Sequence, residues 1–264
     1  SQQVPALSSP RPLFDRSFSA FLFDMDGTII NSIPATERVW SRWALKHGLD
    51  VATFLPTMHG QRGIDTIGRL GLPGVDPVAE AKEVEQGEMD DVDGIAPIAG
   101  ALAFLAALPA DRWGIVTSAP ARLARRRLAA AGIALPKVIV TAEDVTVGKP
   151  APDCFLLGAE RLGTTAGRCL VLEDSPAGIA AAEHLLSRER KTALVVGGSD
   201  DYGRRAVTAF RDRFTERGGK VVESLSVAEV PGDQSAALGR AAQAGADSVF
   251  LALKGSTARA IAPQ

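Results

Sequence analysis

Cysteine is scarce: Cys154 and Cys169 are the only two in 264 residues. Cys169 lies in the strand-like run Arg168-Cys-Leu-Val-Leu172, and Cys154 opens a helix-like segment. Both read as small core residues rather than as a disulfide or a metal pair. Long apolar runs are missing too, and no segment approaches the roughly 20 residues of a bilayer-spanning helix. The opening Ser1-Gln-Gln-Val-Pro-Ala-Leu-Ser-Ser-Pro10 lacks the charged and apolar parts of a signal peptide and reads as a loose tail over residues 1–18. A reducing, cytoplasmic setting is expected, with no membrane partner. Nor does either charge dominate. Lys and Arg number 29 against 31 Asp and Glu, a formal net charge of -2, so there is no bulk basic field for nucleic acid. The one dense basic run, Arg125-Arg126-Arg127, is expected on the solvated outer face of a helix.

What is present is an ordinary globular composition, 46% hydrophobic and 23% charged, long enough for one large or two ordinary domains. Its most informative stretch is Phe21-Leu-Phe-Asp24-Met-Asp26-Gly27-Thr28, an apolar run that ends in two aspartates. Such a run reads as a buried strand closing on a polar turn. Ligands of open α/β sheets bind at the carboxyl ends of strands. Two carboxylates there repel unless a cation joins them, which leaves one aspartate to attack an electrophile. A plain solvated turn accounts for the same residues equally well.

Residues 33–94 carry helical patterns and no strand-like run. Val39, Trp40, Trp43 and Ala44 share a face ended by His47-Gly48, Ile64, Ile67 and Leu70 precede Gly71, and Pro77 to Asp93 is acidic. From Ala99 onward strands alternate with helices: strands at 113–117, 137–141 and 169–172, then at 192–196, 220–223 and 248–253. Alternation of this kind implies right-handed crossovers and a parallel sheet. The expected fold is therefore α/β, a three-layer Rossmann-like, mostly parallel sheet of seven strands with a helical cap.

Three more polar clusters follow strands of this sheet: Thr117-Ser118, Lys149 in Val147-Gly-Lys-Pro-Ala-Pro-Asp153, and Glu173-Asp174 in Leu172-Glu-Asp-Ser-Pro-Ala-Gly178. Each could be a cap or turn by itself. Together they compose phosphoryl transfer to a carboxylate. Asp24 is the candidate nucleophile, and Asp26 the acid for the leaving alcohol and base for the hydrolytic water. Mg²⁺ is expected on Asp24, the main-chain oxygen of Asp26 and Asp174, with Glu173 beside it. Lys149, Thr117, Ser118 and the amides around Gly27 and Thr28 are candidates for the phosphate oxygens.

The ordered motifs Asp-Met-Asp-Gly-Thr, Val-Thr-Ser, Gly-Lys-Pro-x-Pro-Asp and Glu-Asp-Ser-Pro-Ala-Gly resemble those of the haloacid dehalogenase superfamily. The likeness is to its small phosphatases and β-phosphoglucomutase relatives and covers roughly residues 20 to 180. Pro34-Ala-Thr-Glu-Arg-Val-Trp40 and Val140-Thr-Ala-Glu-Asp-Val145 are most similar to the sugar and glycerol phosphatases. The resemblance implies a core over 19–32 and 95–182, a cap over 33–94, and a monomeric Mg²⁺-dependent phosphomonoesterase acting on a small phosphorylated sugar or polyol. It also implies a cap loop at Met58-His59-Gly60-Gln61-Arg62. Arg62 is the foremost substrate contact expected there, and His59 and Gln61 are either further contacts or a solvated helix start. Asn31 either contacts substrate or caps the first cap helix.

Residues 183–264 depart from that pattern. Ser199-Asp-Asp-Tyr-Gly, Gly218-Gly-Lys-Val-Val and Ala246-Asp-Ser-Val-Phe-Leu are similar to one lobe of the type I periplasmic binding proteins. This second resemblance implies an engineered chimera that joins two α/β folds near Ile179–Leu186, with the C-terminal fragment continuing the sheet. A divergent phosphatase with a long C-terminus, an inactive recombination scaffold and a small-molecule binder are the alternatives.

Overall fold

The computed structural model describes residues 18–175, 177–180, 192–198, 207–208, 211–212, 215, 220–227 and 248–252. Strand β1 (Ala20–Phe23) carries four apolar residues between polar flanks and is almost wholly buried. It takes an interior place in a parallel four-stranded sheet with β4 (Trp113–Val116), β5 (Val138–Val140) and β6 (Cys169–Leu172), in the order β5-β4-β1-β6. Phe21 pairs with Trp113 on one side and with Leu170 on the other.

Alternation along these short strands divides two layers of helix. Phe23 and Ile115 meet Leu105 of α5 (Ala101–Ala107) and Leu123, Ala124 and Leu128 of α6 (Ala121–Ala130). Leu22, Val116 and Val140 meet Cys154, Phe155 and Ala159 of α7 (Asp153–Arg161) on the opposite side. Both cysteines are free and buried, as small core residues should be. The three-layer core and its parallel strands agree with the sequence pattern. Among the described residues no helix is long and apolar enough to cross a membrane.

The cap lies between two short strands, β2 (Ile30–Asn31) and β3 (Ala96–Pro97), which pair antiparallel where the chain leaves the core and returns. Sequence pattern missed this pair, because two residues are too few to show a period. Asn31 pairs with Ala96 in it. The cap holds α1 (Ile33–Lys46), α2 (Val51–Phe54), α3 (Gly63–Leu70) and α4 (Pro77–Asp90). Trp40, Trp43, Phe54, Met58, Ile67 and Val84 form its own core. The Trp40 and Trp43 rings meet edge-on at 5.5 Å, and Gly71 ends α3 in the left-handed conformation.

The C-terminal strands correct one expectation. β7 (Thr192–Gly198), β8 (Lys220–Val227) and β9 (Ser248–Ala252) form a parallel sheet of their own, ordered β8-β7-β9. β7 is flanked on both sides by the strands that follow it, so among the described residues it has no edge left to pair with β6. The single seven-stranded sheet is therefore two sheets. The expected tail before Phe18, Tyr202, Ala206, Phe210 and Phe214 of one expected helix, and Ala237, Leu238 and Ala241 of the next, lie outside the described residues.

The turn after β5, which leads to Lys149, is fastened by a single carboxylate. Asp144 accepts from the Thr141 N–H at 2.8 Å and the Thr141 hydroxyl at 2.9 Å, and pairs with Arg161 at 2.6 Å. These bonds, that from Arg161 foremost, hold its carboxyl down to about 2. A depressed carboxyl stabilises the fold above its ordinary range, and that stabilisation is lost as pH falls through about 2. Asp144→Asn should therefore lower unfolding free energy by about 1–2 kcal/mol at neutral pH. The gap between variant and parent should narrow as acid is added, measured by denaturant titration of both proteins at neutral and acidic pH. A gap independent of pH would contradict this account.

Candidate active site

Because the four core strands are parallel, their carboxyl ends share one edge, and the polar clusters meet there. Asp24 follows β1, Thr117 follows β4, and Glu173 and Asp174 follow β6. The loop after β5 returns Lys149 beneath them. Its ammonium, 3% exposed, donates to Asp24 Oδ1 at 2.7 Å, to Glu173 Oε2 at 3.2 Å and to the Val116 carbonyl at 3.2 Å. Burial works to lower the Lys149 ammonium, but the Asp24 and Glu173 charges outweigh it and hold the group protonated.

One cation is not enough for this carboxylate group. Asp24, Glu173 and Asp174 offer oxygens within 4.8 Å of one another. Burial, then the Glu173 charge, push the Asp24 carboxyl well above its ordinary range. The same two causes push Asp174 up to about 8. Buried like charges this close call for a second positive partner, and an all-oxygen donor set suits a hard divalent ion such as Mg²⁺. Thr28 Oγ donates to Asp174 at 3.0 Å. Gly27, at φ +89°, sits so close that a Cβ there would run into the Asp174 carboxylate.

Asp26 is held differently. Its Oδ1 accepts from Ser32 Oγ at 2.5 Å and from Arg127 Nη1 at 2.9 Å. Arg127 is buried, which corrects the expectation of an all-solvated Arg125-Arg126-Arg127 face: Arg125 and Arg126 are exposed, Arg127 is not. The helical period was the available signal. Leu123, Ala124 and Leu128 point inward, and Arg127, four residues after Leu123, shares their side. Its Nη2 reaches into the cap, to Thr36 Oγ at 2.7 Å and Glu88 Oε1 at 3.0 Å. Ser32, Thr36, Glu88 and Arg127 were not among the site residues expected from the sequence.

A cavity of about 330 Å³ opens between this edge and the cap, lined by Asp24, Asp26, Thr117, Ser118 and Asp174 from the core. His59, Gln61 and Arg62 line it from the cap. Gly27 and Thr28 meet Asp174 and do not line the cavity. Thr117 Oγ accepts from the Ala119 N–H at 3.1 Å, while Ser118 Oγ donates to the Gly60 carbonyl of the cap at 2.9 Å. Arg62 spends much of its guanidinium on protein: bonds of 2.6 and 3.0 Å to Asp65, and 3.1 Å to each of the Val145 and Thr146 carbonyls. His59 pairs with Glu37 at 3.0 Å, and Gln61 accepts from Arg69 at 2.8 Å.

Comparison with known proteins agrees with the α/β core that carries this site. The family model described as haloacid dehalogenase-like hydrolase matches residues 18–185. Hexitol phosphatase A of Escherichia coli (strain K12) is 42% identical over 163 residues, 60% of this chain and 76% of the relative. Glycerol-1-phosphate phosphohydrolase 2 of Saccharomyces cerevisiae is 34% identical over 176 residues, 62% of this chain and 70% of the relative. The crystal structure of a hydrolase from Pseudomonas syringae superimposes with TM-score 0.59 at 25% identity, over 78% of this chain and 94% of its own. β-Phosphoglucomutase from Clostridium difficile shares the fold, with TM-score 0.60 at 21% identity over 76% of this chain and 97% of its own.

The carboxylate group yields a test that needs no substrate. Millimolar Mg²⁺ should raise the melting temperature of metal-stripped protein, because binding to the folded state alone stabilises it. Asp174→Asn should abolish that rise while itself raising the melting temperature in chelator, since an amide there needs neither a charge beside Glu173 nor the uptake of a proton on folding. A variant that keeps the full Mg²⁺ response would exclude Asp174 from the ion site.

Proposed function

The chain belongs to the haloacid dehalogenase-like hydrolase family, and from that premise we propose that it is a monomeric, Mg²⁺-dependent phosphomonoesterase for a small phosphorylated polyol or sugar. The observation that carries this reading is the buried Asp24 at a strand end, paired to Lys149 and grouped with Glu173 and Asp174. The activities named for the relatives, a hexitol phosphatase and a glycerol-1-phosphate phosphohydrolase, support the polyol side of the substrate class.

Asp24 attacks phosphorus through a carboxylate oxygen, and the bond from phosphorus to the alcohol oxygen breaks. Asp26 gives its proton to the departing alkoxide. The aspartyl-phosphate then takes a water whose proton returns to Asp26, and phosphate leaves with Asp24 restored as a carboxylate. Lys149 keeps Asp24 aimed and offsets its charge, and Thr117 offers its hydroxyl to a phosphate oxygen. Asp24, Asp174, the Asp26 carbonyl and Glu173 are the residues to hold Mg²⁺, which when bound offsets phosphate charge. His59, Gln61 and Arg62 remain the proposed cap contacts to the substrate's far end, with Arg62 also bonded to the core loop.

We also propose that the chain is an engineered chimera whose part from about residue 183 comes from a binding-protein-like lobe. The end of the family match at residue 185 and the separate β8-β7-β9 sheet support it. One natural sequence aligning without a break across residues 170 to 200 would sink it.

Activity decides the main reading. The protein should hydrolyse p-nitrophenyl phosphate and members of a hexitol and glycerol phosphate panel in Mg²⁺, and neither in chelator. Asp24→Asn should reduce turnover by at least about a thousandfold without lowering the melting temperature, as expected when a covalent nucleophile is removed. Unchanged turnover in that variant refutes the mechanism, and a parent without activity leaves the inactive scaffold.

A further inference from the structure

Arg127 is the one buried cation among the described residues that ties the candidate acid/base to the cap. It belongs to α6 of the core, 4% exposed, and its guanidinium has two ends with different partners. Nη1 bonds Asp26 at 2.9 Å, whereas Nη2 bonds Thr36 of α1 at 2.7 Å and Glu88 of α4 at 3.0 Å. Thr36 and Glu88 are themselves buried. Its neighbour Arg126 adds a bond from Nε to the Met89 carbonyl at 3.3 Å, on the same cap helix.

Stability alone is a weak account of this arrangement. Buried ion pairs often contribute no more than well-packed apolar residues of the same volume, because both charges lose their water. Arg127 moreover leaves its buried Nε without a hydrogen-bond partner, which a purely structural pair gains nothing from. What an apolar replacement could not do is hold a carboxylate in one orientation. The Ser32 and Arg127 donors converge on Asp26 Oδ1, which leaves Oδ2 as the oxygen to carry a proton in a residue that lines the cavity.

We propose that Arg127 is a positioning residue that couples seating of the cap to the setting of Asp26, so that the acid is aimed when Thr36 and Glu88 hold the other end of the guanidinium. The inference rests on the phosphatase reading above and deepens it. A proton donor matters only when the leaving group needs a proton. An alkyl alkoxide does, whereas p-nitrophenolate leaves readily as the anion. Positioned acids contribute about 10²–10⁴-fold, so mis-aiming one removes part of that for alkyl esters alone.

The test compares kcat/KM for p-nitrophenyl phosphate with kcat/KM for the best alkyl phosphate of the panel. This parameter covers steps only through departure of the alcohol, so later hydrolysis of the aspartyl-phosphate does not enter. In Arg127→Met the ratio of alkyl to aryl kcat/KM should fall at least about tenfold. In Arg127→Lys, whose ammonium cannot span Asp26 and the cap together, it should fall about threefold or more. Arg127→Lys keeps the buried charge and carries the test if the methionine variant does not fold. A parallel loss on both substrates, or an unchanged ratio in a folded variant, overturns the proposal and leaves Arg127 a packing residue. A parent that hydrolyses neither ester overturns the phosphatase reading itself, and this inference falls with it.

Discussion

Lys149 reaches Asp24 and Glu173 at once from beneath the sheet edge, and the rest of the site depends on that contact. Three carboxylates within 4.8 Å, Asp24 and Glu173 buried and Asp174 partly so, repel one another strongly in a medium that screens poorly. The ammonium offsets part of this and leaves the remainder, which shows in the raised Asp24 and Asp174 carboxyls. That residual demand for positive charge suits the divalent ion proposed for the site. The parallel sheet makes the arrangement possible, because β1, β4 and β6 deliver their ends to one edge and the loop after β5 returns there.

The cap is set against this edge by several independent contacts. Ser118 holds the Gly60 carbonyl, and Gly60 itself packs so tightly on Ser175 that a side chain there would collide with it. Arg62 clasps the carbonyls of Val145 and Thr146, and Arg127 holds Thr36 and Glu88. Such contacts seat the cap over the cavity that Asp24 lines. Burial also pushes the Glu88 carboxyl up to about 7, against the pull of Arg127, so this side of the clasp carries a carboxyl poised near neutrality. The short β2–β3 pair lets the cap be a compact body on two crossings of the chain.

Local pattern was a good guide where a residue's role is decided by its own neighbours. Three cap helices (α1, α3 and α4), the core strands and the ends of α1 and α3 followed from period and from glycine stops, whereas the four-residue α2 is too short to show a period. The candidate site was legible at Asp24, Lys149, Glu173 and Asp174 because caps and turns alone seldom place acids and a lysine after successive apolar runs. Arg127 was hidden for the opposite reason: three arginines in a row look solvated unless a buried carboxylate awaits one of them, and Asp26 and Glu88 are 101 and 39 residues away. Arg62 could be placed on the cap loop, but not its bonds to a loop more than 80 residues on.

By itself, then, the sequence determined an α/β chain with a helical insertion and a set of acids and one lysine at strand ends, since period and motif are local properties. The tertiary structure decided which charges share a space. It brought Arg127 onto Asp26, turned Ser118 and Arg62 toward cap–core docking, and separated β7, β8 and β9 into their own sheet. Each of those outcomes depends on contacts between distant segments. Burial then sets the cost of every unpaired charge, and with it which partners must meet.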